Sequence, residues 1–218
     1  VVLKDARMLE LGCGAAQRTR ELVTRGGVAH IVASEVDERQ HAKNLLLPAD
    51  PAISFCCFGA QDIPEPDQSF DAVFMFKSLH HVPLRLLDRS LREIGRVLKP
   101  GGVAYISEPV FAGDFNEVIR MFHDESHVRR EAFRAMQRAV ETKTLELVEQ
   151  RFFDAPLRLD SFDQFSDRIM NVTHTDHELT DQLRAEVRAR FESFGADGAY
   201  EFRVPHRIDL LRRSSAQI

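Results

Sequence analysis

A chain of 218 residues with 44% hydrophobic content is long enough to bury a full core, and a single domain over 1–218 is the expected organisation. A formal charge of −5 and a pI near 6.0 leave no basic surplus for gripping nucleic acid or an anionic membrane surface. No apolar run reaches the length needed to cross a bilayer. Three cysteines (Cys13, Cys56, Cys57) are an odd count with two adjacent, which argues against a disulfide framework and for small, mostly buried thiols in a reducing compartment. No secretory signal precedes the first strand, so a cytoplasmic location is expected. The first strand lies within a few residues of the start, which raises the expectation of a longer native N-terminus.

Strands and helices alternate through the first half. Met8–Leu11 reads as a short apolar strand carrying an acid, Glu10, before a turn containing Gly12 and Gly14. A helix from about Ala16 to Thr24 follows, closed by Arg25-Gly26-Gly27. Strand two is Ala29–Ser34, ending at Glu35-Val36-Asp37, and a polar helix runs from Glu38 to about Leu46. Ile53–Phe58 is strand three. Phe70–Phe76 is strand four, nearly all apolar, as a strand buried on both faces should be. Arg85–Leu98 carries Leu86, Leu87, Leu91, Ile94 and Val97 at helical spacing. Lys99-Pro100-Gly101-Gly102 is expected to stop that helix ahead of strand five, Val103–Ser107, which ends at Glu108. Repeated strand–helix units of this length indicate an α/β fold with a parallel sheet and right-handed crossovers. A strand, a glycine turn and a helix N-terminus in that order form a nucleotide-type ligand site in such a sheet.

The second half changes character. Phe115 to about Thr142 reads as one long helix, Leu145–Phe153 as a sixth strand, and Phe162–Met170 and Glu178–Phe194 as helices. Thr175-x-x-Glu178 has capping-box spacing. Tyr200–Leu211 alternates and suits a final antiparallel strand at the sheet edge, where Pro205 is tolerated. Phe122, Phe133, Phe162, Phe165, Met121, Met136 and Met170 suit either the cover of a substrate pocket or ordinary core.

Residues 1–110 resemble the class I S-adenosylmethionine-dependent methyltransferases, in the small-molecule group that includes the ubiquinone and menaquinone methyltransferases. The resemblance rests on Glu10-x-Gly12-x-Gly14, Glu35 at the end of strand two, Ala60-Gln61-Asp62-Ile63-Pro64 followed by Ser69-Phe70-Asp71-Ala72-Val73, and Leu79-His80-His81-Val82 with Leu98-Lys99-Pro100-Gly101-Gly102 beyond. It implies a Rossmann-like, doubly wound, mostly parallel seven-stranded sheet with an antiparallel edge strand. A cofactor-binding half over 1–110 would precede a substrate-side half with extra helices over 111–218. The cofactor implied is S-adenosylmethionine, with S-adenosylhomocysteine as product. Glu10 falls where the family holds the cofactor's ammonium, and the turn through Gly12, Cys13 and Gly14 leaves room for its methionine portion and ribose. Glu35 matches the ribose acid, with Asp37 its rival, and Val36 is placed to pack on the adenine. Ala60 and Gln61 match the segment at the adenine edge, and Phe76 and Lys77 the segment beside the methionine. The family transfers the sulfonium methyl in line, and a general base serves only where the acceptor loses a proton; Glu108, His80 and His174 are the candidates in that order.

The departures also inform. Ala16 replaces a third glycine, and Gly59 stands where an acid often precedes Ala60, removing one contact near the adenine. A dinucleotide fingerprint needs glycine at position 17, where Gln17 stands, which counts against an NAD(P)-dependent oxidoreductase. A catalytically silent cofactor-binding protein on the same fold is the other alternative. Phe76-Lys77-Ser78-Leu79 lacks the tetrad of amino-directed DNA methyltransferases, and no Pro-Cys nucleophile is present, so a small organic acceptor is favoured. His123 and His127 share a helical spacing, but Asp124 stands where the zinc-protease pattern needs Glu; a surface pair is the reading and no metal is expected. His174-Thr175-Asp176-His177 reads as a helix-start loop, and Asp71 as a brace for a strand start.

Overall fold

A computed structural model describes residues 4–170, 180–195 and 199–214. Its seven strands are β1 (Arg7–Leu11), β2 (His30–Ser34), β3 (Ile53–Cys56), β4 (Phe70–Phe76), β5 (Leu98–Pro109), β6 (Leu145–Leu159) and β7 (Tyr200–Arg213). The helices are α1 (Gln17–Gly26), α2 (Glu38–Leu45), α3 (Leu87–Val97), α4 (Asp114–Ile119), α5 (Ser126–Glu141), α6 (Phe162–Phe165) and α7 (Asp181–Glu192), with short 3₁₀ turns at Leu79–His81 and Leu84–Leu86. The strands form one sheet in the order β3-β2-β1-β4-β5-β7-β6. The pairings β3–β2, β2–β1, β1–β4 and β4–β5 are all parallel. This is the mostly parallel, Rossmann-like sheet with an antiparallel strand on one edge side.

Two compact units result. One comprises Val1–Glu108, Arg130–Arg151 and Ile208–Ile218; the other comprises Pro109–Arg129 and Phe152–Arg207. The chain leaves the first unit after Glu108 and returns to it twice.

In the first unit, alternation along each strand sends side chains to opposite faces of the sheet. Leu9 and Leu11 join Val32, Val73, Met75 and Ile106 against Leu87, Leu91, Ile94 and Val97 of α3 and Ala132, Ala135, Met136 and Ala139 of α5. Met8 turns the other way, with Ile31, Ala33, Ala72 and Phe74, toward Leu22 and Val23 of α1. The second unit has its own aromatic core. Phe162, Phe165, Phe191 and Phe202 are buried together, with Phe115 and Phe122 packed against them. The Phe165 and Phe191 rings lie 4.9 Å apart, and Phe191 and Tyr200 4.3 Å apart. Of the residues weighed as pocket cover or core, Met136 is buried in the first unit's core and Phe133 packs against it, while Phe162, Phe165 and Met170 build the second.

Several expected boundaries are corrected. The single helix over 115–142 is two, α4 and α5, because the Asp124 carboxylate accepts the Ser126 amide at 2.8 Å and ends the intervening turn. Lys99-Pro100-Gly101-Gly102 does not separate helix from strand. It is a bulge inside β5, marked by the register shift between Phe70 and Ala72 and by φ +78° at Gly101. A Cβ at Gly102 would lie 2.9 Å from the Lys99 carbonyl and 3.1 Å from that of Phe70, so only glycine fits the bulge. The last strand, β7, sits one place inside the edge, between β5 and β6, and its Phe202, Asp209 and Leu211 are buried. Pro205 is accommodated there because its carbonyl, the one backbone group a proline can offer, accepts the Val110 amide at 2.8 Å. The helix expected over 162–170 is α6 followed by a π-turn over Ser166–Met170. Helix α7 is capped by Thr180, whose hydroxyl accepts the Leu183 amide at 3.1 Å. The Thr175–Glu178 box, His174 and His177 lie outside the described residues.

Candidate functional site

The parallel register places the ends of five strands along one border of the first unit. Leu11 pairs with Ser34, Ser34 with Cys56, and Phe76 with Ser107. Glu10, Gly12, Cys13, Gly14, Glu35, Val36, Phe76, Lys77 and Glu108 therefore fall on the C-terminal ends of neighbouring strands, and Ala60 and Gln61 on the loop after β3. This is where open α/β sheets bind ligands.

The turn after β1 is tightly built. The amides of Gly12 and Cys13 both donate to the Ser34 carbonyl, at 2.9 and 3.0 Å. Gly12 has φ +74°, and a Cβ there would lie 2.6 Å from Cβ of Ser78, whose hydroxyl donates to the Leu11 carbonyl at 2.7 Å. Glycine is thus required by packing at that position. At Gly14, also left-handed at φ +52°, an added Cβ would meet nothing within 4 Å, so this glycine faces open space. Ala16 adopts φ 58° as the residue before α1, a conformation that favours the glycine it replaces.

Glu10 is 2% exposed and accepts a hydrogen bond from the Thr19 hydroxyl at 2.6 Å. Burial raises its pKa from 4.5 to about 7, against the lowering effects of Thr19 and the Arg18 charge. Burial pushes the neighbouring Cys13 thiol up to about 12, helped by the Glu10 and Glu35 charges, so this cysteine is an inert packing group. Cys56 is half-buried and Cys57 exposed, which corrects the expectation that all three thiols are buried.

Glu35 is held in a different way. One carboxylate oxygen accepts the Gly14 amide at 2.8 Å and the other the Asp37 amide at 3.0 Å. Its rival, Asp37, uses Oδ1 to accept the amides of Arg39 and Gln40 as the N-cap of α2. Val36, between the two acids, is 62% exposed. After β3, Ala60 is buried, and the Gln61 amide folds back over Gly59, where a Cβ would run into it. The space released by the missing acid is filled by glutamine.

At the ends of β4 and β5, Lys77 has φ 56° and its amide donates to the Ser107 carbonyl at 2.8 Å. Glu108 is buried; Oε1 accepts the amides of Ser78 (3.1 Å) and Leu79 (2.9 Å), and Oε2 is hydrogen-bonded to Nδ1 of His80. Both oxygens are thus engaged in holding the 3₁₀ turn, and the first-ranked base candidate serves to orient the second. Asp71 takes the bracing place expected of it. Burial works against its charge, but the Lys99 ammonium at 2.8 and 2.9 Å and the Arg7 amide outweigh it and hold the pKa low.

Four supporting residues escaped the sequence reading: Thr19, Ser34, Asn44 and Ser78. The Ser34 hydroxyl donates to the Phe58 carbonyl and accepts the Phe58 amide, tying β2 to the loop after β3. Asn44, 1% exposed, donates to the Gly14 carbonyl at 2.7 Å and accepts from Gln40 at 2.9 Å. An asparagine on the inward face of a polar helix was the available signal.

Residues 9–106 match the family described as "Methyltransferase domain". Over those residues, a little under half of the chain, the sequence is that of a methyltransferase domain. Over 99 residues that domain is 35% identical to the 27-O-demethylrifamycin SV methyltransferase of Amycolatopsis mediterranei, covering 44% of this chain and 36% of the relative. The chain spans less than half the length of the curated relatives it matches. In fold, a Bacillus halodurans protein named as a methyltransferase superposes with a TM-score of 0.68 at 20% identity, covering 97% of this chain and 94% of that one. The [4+2]-cyclase SpnF superposes at 0.63 and 21% identity, covering 97% and 75%. The methyltransferase fold therefore extends over nearly the whole chain, while sequence similarity to the relative is confined to less than half of it.

Proposed function

We propose that the protein binds S-adenosylmethionine along the β1–β4 strand ends and transfers its methyl group to a small organic acceptor, releasing S-adenosylhomocysteine. The observation that carries this reading is the pair Glu10 and Glu35. A buried carboxylate at the end of β1 suits a cationic ammonium, and a carboxylate fixed by two backbone amides at the end of β2 suits two vicinal hydroxyls. The residues fit such a ligand: Gly14 faces open space, and Val36 offers an exposed apolar surface for a flat base. Gln61 and Ala60 would border the adenine edge, and the backbone at Phe76 and Lys77 the methionine portion. When bound, the cofactor supplies an electrophilic methyl on a sulfonium sulfur. The chain's residues bind, orient and exclude water. Where the acceptor loses a proton, His80, whose Nδ1 is held by Glu108, is the base. The match to a methyltransferase named for a natural product supports a small-molecule acceptor.

A second reading, a silent or non-methylating protein, is favoured by the shared fold with a [4+2]-cyclase, since one fold hosts several chemistries. Calorimetric titration with S-adenosylmethionine, S-adenosylhomocysteine and NAD, followed by turnover with labelled methyl donor over varied small acceptors, separates the two. The expected result is binding of both sulfur compounds, none of NAD, and label in a small product. No heat with either sulfur compound would sink the proposal, and tight binding without turnover would put the second reading ahead.

A further inference from the structure

The two borders of the sheet are unlike. β3 is four residues long and half-buried throughout. β6 is fifteen residues long and stands last in the strand order, so among the described residues no strand pairs with its outer edge. Residues 147–154 of β6 are exposed without interruption, including Leu147 (47%), Val148 (50%), Phe152 (65%) and Phe153 (42%). A long exposed edge of this kind, with apolar residues on either side of a charged centre, is a template for another strand.

The order of residues along β6 indicates what covers it. About Gln150 the sequence is self-complementary: Leu147-Val148-Glu149-Gln150-Arg151-Phe152-Phe153. An antiparallel copy with Gln150 opposite Gln150 sets Glu149 against Arg151 twice, Val148 against Phe152 twice, and Leu147 against Phe153 twice. Each pair falls on a common face, because 147, 149, 151 and 153 alternate with 148, 150 and 152. Glu149 and Arg151 already attract each other within one strand, Nε to Oε1 at 2.5 Å, and both are solvent-accessible. The one like-charge juxtaposition, Glu146 with Asp154, is relieved because Glu146 is paired with Arg212 at 2.9 Å. A two-fold axis at Gln150 satisfies the outer edge of both strands at once, as an isologous contact must.

We propose that β6 is a homodimer interface, joining two copies of this chain edge to edge through antiparallel β6–β6 pairing centred on Gln150. Sedimentation equilibrium of the whole chain over a concentration series tests it with three variants. The natural sequence is expected to dimerise. E149R and R151E each place like charges opposite one another twice, and each is expected to weaken the dimer about tenfold or more, although they move net charge in opposite directions. The double variant E149R/R151E restores opposite pairs and the net charge, and is expected to recover the dimer. Thermal melts of the same proteins confirm that each variant is folded. A natural chain that stays monomeric at all concentrations, a dimer indifferent to either single change, or a double variant that fails to recover overturns the proposal.

Discussion

Glu10 and Glu35 end neighbouring strands of one sheet, yet the chain treats them in opposite ways. Glu35 is anchored at both oxygens by backbone amides, so its position is fixed before anything binds. Glu10 is more deeply buried, has the Thr19 hydroxyl as its hydrogen-bond partner, and holds a proton up to about pH 7. A carboxylate left short of stabilisation gains most when a cation arrives, whereas one already saturated by amides acts as a ruler. On the proposed reading, that difference would assign charge recognition to β1 and shape recognition to β2.

The largest expected effect comes from removing the charge at β1. Glu10→Gln keeps the Thr19 contact but leaves a cationic ligand unpaired, and S-adenosylmethionine affinity at pH 7.5 should fall by about a hundredfold. The same change should stabilise the free protein. Folded Glu10 keeps its proton until about pH 7 while the unfolded chain releases it near 4.5, so the folded state binds more protons in that window. This group's contribution to stability is therefore lost as pH rises from about 4.5 to 7, by about 3 kcal/mol in all. Denaturant titrations of the two proteins should agree near pH 4.5 and diverge by about that amount at pH 7.5. Ligand affinity should show the converse: in the natural protein it weakens toward tenfold per unit as pH drops below 7, and in Glu10→Gln it is flat. Parallel pH profiles would show that Glu10 does not meet the ligand's charge.

A smaller effect separates Glu35 from Asp37. Glu35→Ala removes both the proposed hydroxyl acceptor and the tether on Gly14, and affinity should fall about tenfold to a hundredfold. Asp37→Ala should cost about 1 kcal/mol of stability through the lost cap on α2, with affinity nearly unchanged. The reverse ranking in calorimetry would transfer the ribose role to Asp37.

What was readable in the sequence follows from the range of the interactions. The β1 turn, the acid at Glu35 and strand β4 are local patterns, and β4 was placed at its observed ends, Phe70–Phe76. Thr19, Ser34, Asn44 and Ser78 matter through partners nine to sixty-seven positions away, and no local pattern announces such a bond. The position of β7 inside the edge is likewise a choice among non-local pairings. The pair Gly59 and Gln61 was half visible: the missing acid could be read, but not the glutamine folded into its place.

The smallest effect tests whether that hidden layer contributes to binding. The Gly14 peptide is gripped from both sides, its amide by Glu35 and its carbonyl by Asn44. Asn44→Ala leaves the carboxylate untouched and, of the two grips on that peptide, releases only the one on the carbonyl; it also frees the Gln40 side chain. It should therefore cost about 1 to 3 kcal/mol of stability by unpairing a buried acceptor. If the loop's geometry is set by both grips, S-adenosylmethionine affinity should also weaken a few-fold, with the pH profile set by Glu10 unchanged in shape. Affinity equal to that of the natural protein, alongside the stability loss, would show that Glu35 alone positions the turn and that Asn44 serves only the fold.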